Sequence, residues 1–439
     1  MGIASELVRR GGGERWYYAF VPSKLAGGMS SPMIPLFVLE VFGLGVGAVT
    51  LVTVAASVAT VPGFMLWGEY TDKQRKRKQP IVMGMALSAL ALALMAVAPD
   101  IVAFVIAQLI YGFFVAATVP SSTMLIMEHT PKERWGAAIG LFTKVLGVGW
   151  MVGMALGAAY FALAPLVMPL AMAMRLSLLL CAAMATASWA LSQAWIEEPE
   201  ARLERRWFFS DALAMRTWVF ERARHIPSVM LYVFSPRIIR KARRMFPGWG
   251  RELDLYLLSS FILYAGIQVF YVPFPVMLSE ELRLDSADIF LVFLVGSLTA
   301  AAMYTWAGRE VDRLGNRKSQ LLAWGARAVI FPSFAVALAL MAWGHADLAF
   351  VAVLALNAST GVFFTIVSVA GTTTATVLAP EYIRGEAVGA YNAVIGVGMI
   401  VGGFAGGAIA AAAGYYAVAF TTGVLTVVPV AILWHLRFR

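Results

Sequence analysis

GEYTDKQRKRK, residues 68–78, follows the apolar run VGAVTLVTVAASVATVPGFMLW at 46–67, which carries no charge. Two acids and five bases then arrive within eleven residues. A related segment, GREVDRLGNRK, occupies 308–318. An apolar run of about 20 residues that ends in a basic cluster is the pattern of a membrane span meeting its cytoplasmic loop.

The composition carries that reading to the whole chain. Of 439 residues, 60% are hydrophobic and 13% charged, and the mean hydropathy is +0.77. Globular domains are roughly 45–50% apolar and about 25% charged, so a soluble core cannot absorb this sequence. The 39 glycines suit close helix packing in lipid. The net charge of +9 is explained by basic loops, and nucleic acid is not an expected partner. The one cysteine, Cys181, forms no intramolecular disulfide and belongs to no metal-site pattern. No cofactor is expected. The first apolar segment is too long for a signal peptide and lacks a cleavage-like end, so it reads as a span.

Twelve spans are predicted, near 16–41, 46–67, 80–98, 101–127, 136–163, 168–194, 254–278, 287–307, 320–343, 348–378, 386–412 and 416–434. An even number places both termini on one side. Arg9, Arg10 and Arg15 precede span 1; Lys73 to Lys78 follow span 2; Lys132 and Arg134 follow span 4; Arg309 to Lys318 follow span 8. Arg384 follows span 10, and Arg437 and Arg439 end the chain. The opposite loops hold Arg283 amid Glu280, Glu281, Asp285 and Asp288. This asymmetry places the termini in the cytoplasm of a cell membrane.

Residues 196–253 carry twelve Arg or Lys, interleaved with Trp207, Phe208, Trp218, Phe220, Tyr232, Phe234, Phe246 and Trp249. Amphipathic helices on the inner leaflet, with bases toward anionic lipids, fit this mixture. A lipid- or partner-sensing module is the alternative. The expected domains are a six-helix bundle at 1–195, this linker at 196–253, and a second six-helix bundle at 254–439.

The halves repeat. A shift of 240 carries Pro35, Glu40, Gly68, Asp72 and Lys73 onto Pro275, Glu280, Gly308, Asp312 and Arg313. A shift of 249 carries Gln108, Gly112 and Pro131 onto Asn357, Gly361 and Pro380. It also carries Gly140, Gly147, Gly149, Gly153 and Gly157 onto Gly389, Gly396, Gly398, Gly402 and Gly406. Six spans per half make the repeats parallel, related by an axis along the membrane normal. The fold class is therefore an all-α membrane protein of twelve transmembrane helices in two pseudo-symmetric six-helix bundles.

A loop of form G-x-x-x-D-[RK]-x-G-[RK]-[RK] after spans 2 and 8, in a 6+6 chain with a long middle loop, resembles the major facilitator superfamily. The second copy carries Gly308, Asp312, Arg313, Gly315, Arg317 and Lys318. The first has Arg75 where the inner glycine is expected. The resemblance implies a transporter whose central cavity opens alternately to each side. It implies that Gly68 lets span 2 approach span 11, and that Asp72 meets the Gly385–Glu386 region with Arg134 as basic partner. A carboxylate at a helix N-terminus is favoured by the helix dipole. Gly68, Asp72, Lys73 and Arg134, with Gly308, Asp312, Arg313 and Gly315, are thus the expected gating set. Lys76, Arg77 and Lys78 read as topology charges.

The resemblance also implies that spans 1, 4, 7 and 10 line the pathway. Helical spacing nominates Lys24, Gly28, Ser31 and Pro35 on span 1, which the 240 shift carries to Tyr264, Gln268, Tyr271 and Pro275 on span 7. Span 4 offers Gln108, Tyr111 and Ser122; span 10 offers Asn357, Thr360, Phe364 and Ser368. Helix–helix hydrogen bonding is the plain alternative for the hydroxyls and amides. Intramembrane ionisable residues are functional candidates. They are Lys24, Lys144, Arg175 and Arg327. Arg327 and Arg175 are set aside as able to snorkel. Lys24 and Lys144 become candidate substrate contacts, with Glu128 as an alternative partner for Lys144.

Bases without a central carboxylate favour an anionic or amphipathic small-molecule substrate. Gln108 and Tyr111 stand where proton-driven exporters of the superfamily carry an R-x-x-Q-G arginine pattern, so that mechanism is not expected; Glu40 and Glu280 could still serve a coupling ion. The expected function is secondary or facilitative transport of a small organic solute by a monomer. Drug- or lipid-type export is the alternative, and a transport-dead sensor the more distant one. No nucleotide loop, metal cluster or nucleophile triad marks the chain as an enzyme.

Overall fold

The computed structural model describes residues 15–74, 76–131, 135–198, 250–379 and 384–436, apart from the side chains at 65, 69, 72–74, 135–137, 372, 384–386, 388 and 389. Among them every regular element is a helix. Residues 199–249, where amphipathic helices were expected on the inner leaflet, lie outside the described residues.

Span 1 is Val21–Glu40, entered through a 3-10 turn at Arg15–Phe20. Spans 2 and 3 are Val46–Gln74 and Lys78–Val97. Span 4 is two helices, Ile101–Val115 and Thr118–His129. Spans 5 and 6 are Trp135–Leu163 and Leu170–Trp195. Span 7 is Arg251–Tyr271 continued by Phe274–Glu280. Spans 8, 9 and 10 are Ser286–Leu314, Asn316–Ala342 and Ala346–Leu378. Arg384–His435 follows as two helices that meet at a kink at Gly414.

Among the described residues, ten helices are long and apolar enough to cross a membrane. One of them, Ala390–His435, is 46 residues long, about twice what one crossing needs. Gly414 breaks it at φ 77°, ψ 179°, so it supplies spans 11 and 12. Span 1 is not among the ten. It carries Lys24, Glu40 and three serines, and its middle, Ala26 to Ser30 and Pro32 to Val38, is buried within the bundle.

The interruptions follow from proline chemistry. Pro120 has no N–H and its ring clashes with the carbonyl four residues back, at Ala116; span 4 pauses at Ala116–Ala117. Pro273 and Pro275 act likewise at the break in span 7. Spans 8 and 9 meet at one residue, Gly315, at φ 78°, ψ 158°, a conformation that glycine adopts without a Cβ penalty. That is the inner glycine of the second motif copy.

The repeat is visible in the packing. A Cβ at Gly112 would run into the backbone of Ala56, and one at Gly361 into the backbone of Gly296; position 56 shifted by 240 is 296. A Cβ at Gly153 would run into the carbonyl of Leu25, and one at Gly402 into that of Ala265; position 25 shifted by 240 is 265. Equivalent glycines therefore seat equivalent helix pairs in both halves.

The two halves meet along spans 2 and 11 and along spans 5 and 8. Cβ atoms built at Gly396 and Gly403 lie 3.1 and 2.7 Å from side-chain carbons of Val61 and Val54, and one at Gly407 would overlap Thr50. Phe161 stacks on Phe290 at 5.2 Å between centroids, and Ser297 contacts the Met154 sulfur at 3.3 Å. All these contacts lie from mid-helix toward the end away from the basic loops. Nearer the basic loops, Cβ atoms built at Gly68, Gly140, Gly147 and Gly308 meet nothing within 4 Å.

Candidate functional site

A cavity of about 300 Å³ lies among spans 7 to 11. Tyr264, Gln268 and Tyr271, at i, i+4 and i+7, present one face of span 7 to it. Asn357, Thr360 and Phe364 do the same from span 10, Phe293, Gly296 and Ser297 from span 8, Arg327 from span 9 and Met399 from span 11. The Tyr271 hydroxyl meets the Thr360 hydroxyl at 2.8 Å and donates to Asn357 Oδ1 at 3.4 Å. Asn357 Nδ2 donates to the Val292 carbonyl at 2.7 Å. A Cβ at Gly296 would sit 2.5 Å from that nitrogen, so the missing side chain admits the bond. Spans 7, 8 and 10 are thereby tied around the cavity by one polar network.

Among the described residues, Arg327 is the only charged one in the lining. It is 1% exposed. Its Nη2 donates to the Thr360 carbonyl at 3.1 Å, while Nε and Nη1 are buried and meet no acceptor among the described residues. Its guanidinium lies 5.8 Å from the ring centres of both Phe331 and Phe364. Such contacts are worth about 0.5–2 kcal/mol each. An uncompensated buried charge costs several kcal/mol, so the rings leave a deficit that an acceptor has to offset.

The cavity gathers four of the nine expected substrate residues: Tyr264, Gln268, Tyr271 and Asn357. The other five belong to the first half and do not line it. Lys24 is half-buried on span 1, its Cβ 3.0 Å from one built at Gly149. Ser31 and Lys144 are exposed. Gln108 is buried with an unpartnered Oε1, and Tyr111 hydrogen-bonds Ser30. Glu128 does not serve Lys144; it pairs with Arg77.

That pairing corrects the reading of Arg77 as a topology charge. Arg77 Nη2 and Nε reach Glu128 Oε1 at 2.8 and 3.1 Å, with side-chain exposures of 3% and 1%. Nη1 donates to the Thr71 carbonyl. Glu198 accepts from the backbone N–H groups of Arg77 and, at 3.0 Å, Lys78. The first motif loop is thus fastened to the ends of spans 2, 4 and 6. The Asp72 and Lys73 side chains and all of Arg134 lie outside the described residues, as do the side chains at Gly385 and Glu386.

In the second copy, Asp312 is exposed. Arg313 pairs with Glu310 one turn back at 2.7 Å. Arg317 donates to the carbonyls of Leu433 and Trp434, where a cation meets the negative end of the helix dipole of span 12.

Arg327 was set aside from sequence, as was Arg175. Arg175 Nη1 caps span 3 through the carbonyls of Ala96 and Ala98 at 2.7 and 3.1 Å. Arg327 differs in depth. It lies eleven residues into the 27-residue span 9, about 16 Å along an axis of about 40 Å, just short of mid-span. Its guanidinium is buried against the Thr360 carbonyl and does not turn toward the basic loops.

A family model described as Major Facilitator Superfamily matches residues 18–340 and 256–439. A multi-drug resistance efflux pump, PmrA of Streptococcus pneumoniae, is 29% identical over 139 residues, 30% of this chain and 34% of that protein. The alignment thus spans about a third of that relative. Among solved structures, the nucleoside transporter NupG superposes with a TM-score of 0.68 at 13% identity, over 97% of this chain and 98% of its own. A POT family transporter, solved with a thioalcohol-conjugated peptide, gives 0.74 at 10% identity, over 95% and 94%.

Proposed function

The chain belongs to the major facilitator superfamily, and on that premise we propose that it is a secondary transporter moving a small organic solute by rocking of its halves, 1–195 and 254–439. The observation that carries this reading is the placement of the inter-half contacts. They run from mid-helix to one end, while a polar cavity lies at the middle depth of spans 7 to 11. Contacts of this kind exist in one cavity orientation only, so the two orientations form an equilibrium that a solute can bias. With termini and basic loops in the cytoplasm of a cell membrane, this arrangement faces inward. Gly68, Asp72, Lys73 and Arg134, with Gly308, Asp312, Arg313 and Gly315, then act in the opposite orientation, where the basic ends close on each other.

The solute is anionic or amphipathic. The cavity wall offers a guanidinium and several hydroxyl and amide groups beside Phe293, Phe364 and Met399, and no carboxylate stands among its described lining residues. Export of a drug-like amphipath is a second reading, favoured by the likeness to an efflux pump over 30% of the chain.

Proteoliposomes test both readings. Labelled aryl carboxylates should exchange across the bilayer under the first, and the lipophilic cation ethidium under the second. Flux no faster than in protein-free vesicles for every compound would end the transporter reading.

A further inference from the structure

The Arg327 guanidinium is a poorly compensated buried charge in the described membrane interior. It is almost fully buried, spends one nitrogen on the Thr360 carbonyl, and leaves Nε and Nη1 buried without an acceptor among the described residues, beside a cavity whose described lining has no acid. A structural arginine in lipid pairs with a carboxylate or with several carbonyls, as Arg77 pairs with Glu128 and Thr71. Arg327 has neither arrangement. A planar cation with free N–H groups matches a carboxylate in both charge and shape. Beside it, Tyr264, Tyr271 and Gln268 add neutral hydrogen-bonding groups, and Phe293 and Phe364 add apolar wall.

We propose that Arg327 is the carboxylate-binding group of this protein, and that the cavity holds an organic acid whose carboxylate draws the Arg327 guanidinium toward it, with its apolar body along Phe293 and Phe364. The proposal deepens the transport reading and rests on it for its physiological meaning. It replaces Lys24 and Lys144 as the anchor for the anion. Because the acid neutralises Arg327 only when bound, the loaded cavity is the form best suited to closing.

Thermal protection of the purified full-length protein in detergent tests this without any flux. The probes are benzoate, phenylacetate and phenylbutyrate, with phenylacetamide as neutral match and phenethylammonium as cationic match. The carboxylates should protect at concentrations about tenfold or more below the amide, the ratio expected for a hydrogen bond to a charged group. Arg327→Gln should lose that preference, while its unliganded melting temperature does not fall, since the change removes an uncompensated buried cation. Arg327→Lys keeps the charge but loses the planar donors, and protection should weaken about tenfold. The Lys variant decides the matter if the Gln variant is not monodisperse. Equal protection by amide or cation, full carboxylate protection of either variant, or no protection by any carboxylate at millimolar concentration would each overturn the assignment. Ethidium flux in proteoliposomes separates the two ideas: flux without carboxylate protection removes the anion site alone, and protection without any flux removes the transport reading alone.

Discussion

Arg77 donates to Glu128 at 2.8 Å with both side chains almost out of solvent, whereas Arg327 is as deeply buried with two nitrogens unpaired. The two arginines should respond oppositely to removal. Arg77→Met leaves a buried carboxylate alone, which costs about 3–5 kcal/mol. Pairing it with Glu128→Leu should restore most of that loss, because a matched apolar pair is close to neutral. Reversible unfolding of the two single variants and the double variant measures the cycle; additive losses would show that the pair carries no coupling. Part of this was legible beforehand. The sequence marks Arg327 as an ionisable residue within span 9, while its burial is decided by the packing. The partner of Arg77 is 51 residues away, and no local pattern announces a contact set by the crossing of two helices.

Glycine spacing does the equivalent work for whole helices. Gly153 seats span 5 on Leu25 of span 1, and Gly402 seats span 11 on Ala265 of span 7. A side chain at either position meets backbone, which cannot rotate away as a side chain could. Gly153→Val and Gly402→Val should each cost about 1–3 kcal/mol through forced separation of a helix pair. Thermal unfolding in detergent checks the loss, and a change at Gly68, where a built Cβ meets nothing within 4 Å, serves as control. The repeated glycines were readable as a pattern at shifts of 240 and 249. The backbone that each one faces was not, since a glycine in lipid is as compatible with one neighbouring helix as with another. The joint at Gly315 was foreshadowed by its motif. The joint at Gly414 falls in the gap left between the predicted spans 386–412 and 416–434, where one residue with positive φ turns the chain without a polar loop.

Between the halves, the contacts of spans 2 and 11 can be trapped. A Cβ at Gly403 comes 2.7 Å from Val54 Cγ2. Val54→Cys combined with Gly403→Cys should therefore cross-link under mild oxidation, and Cys181 is buried and so a poor competitor. Solute flux should stop on oxidation and return on reduction, since alternation requires this end to open. Full flux in the cross-linked protein would mean that the halves do not separate here. The same reasoning bears on the motif glycines. Gly68 and Gly308 lack close neighbours in this orientation, so their substitution should affect the rate of interconversion more than the stability of the form described.

The sequence by itself determined the membrane environment, the duplication and the family. Apolar runs about 20 residues long have no other stable setting, and a duplicated chain keeps its spacing in register. It also singled out Tyr264, Gln268, Tyr271 and Asn357, because 3.6-residue periodicity places residues on a shared face before any partner is known. Only the tertiary structure decided which charges are paired. Lys24, Lys144, Arg77, Arg175 and Arg327 differ little as letters. A charge in low dielectric is defined by the acceptors around it, and those come from other helices.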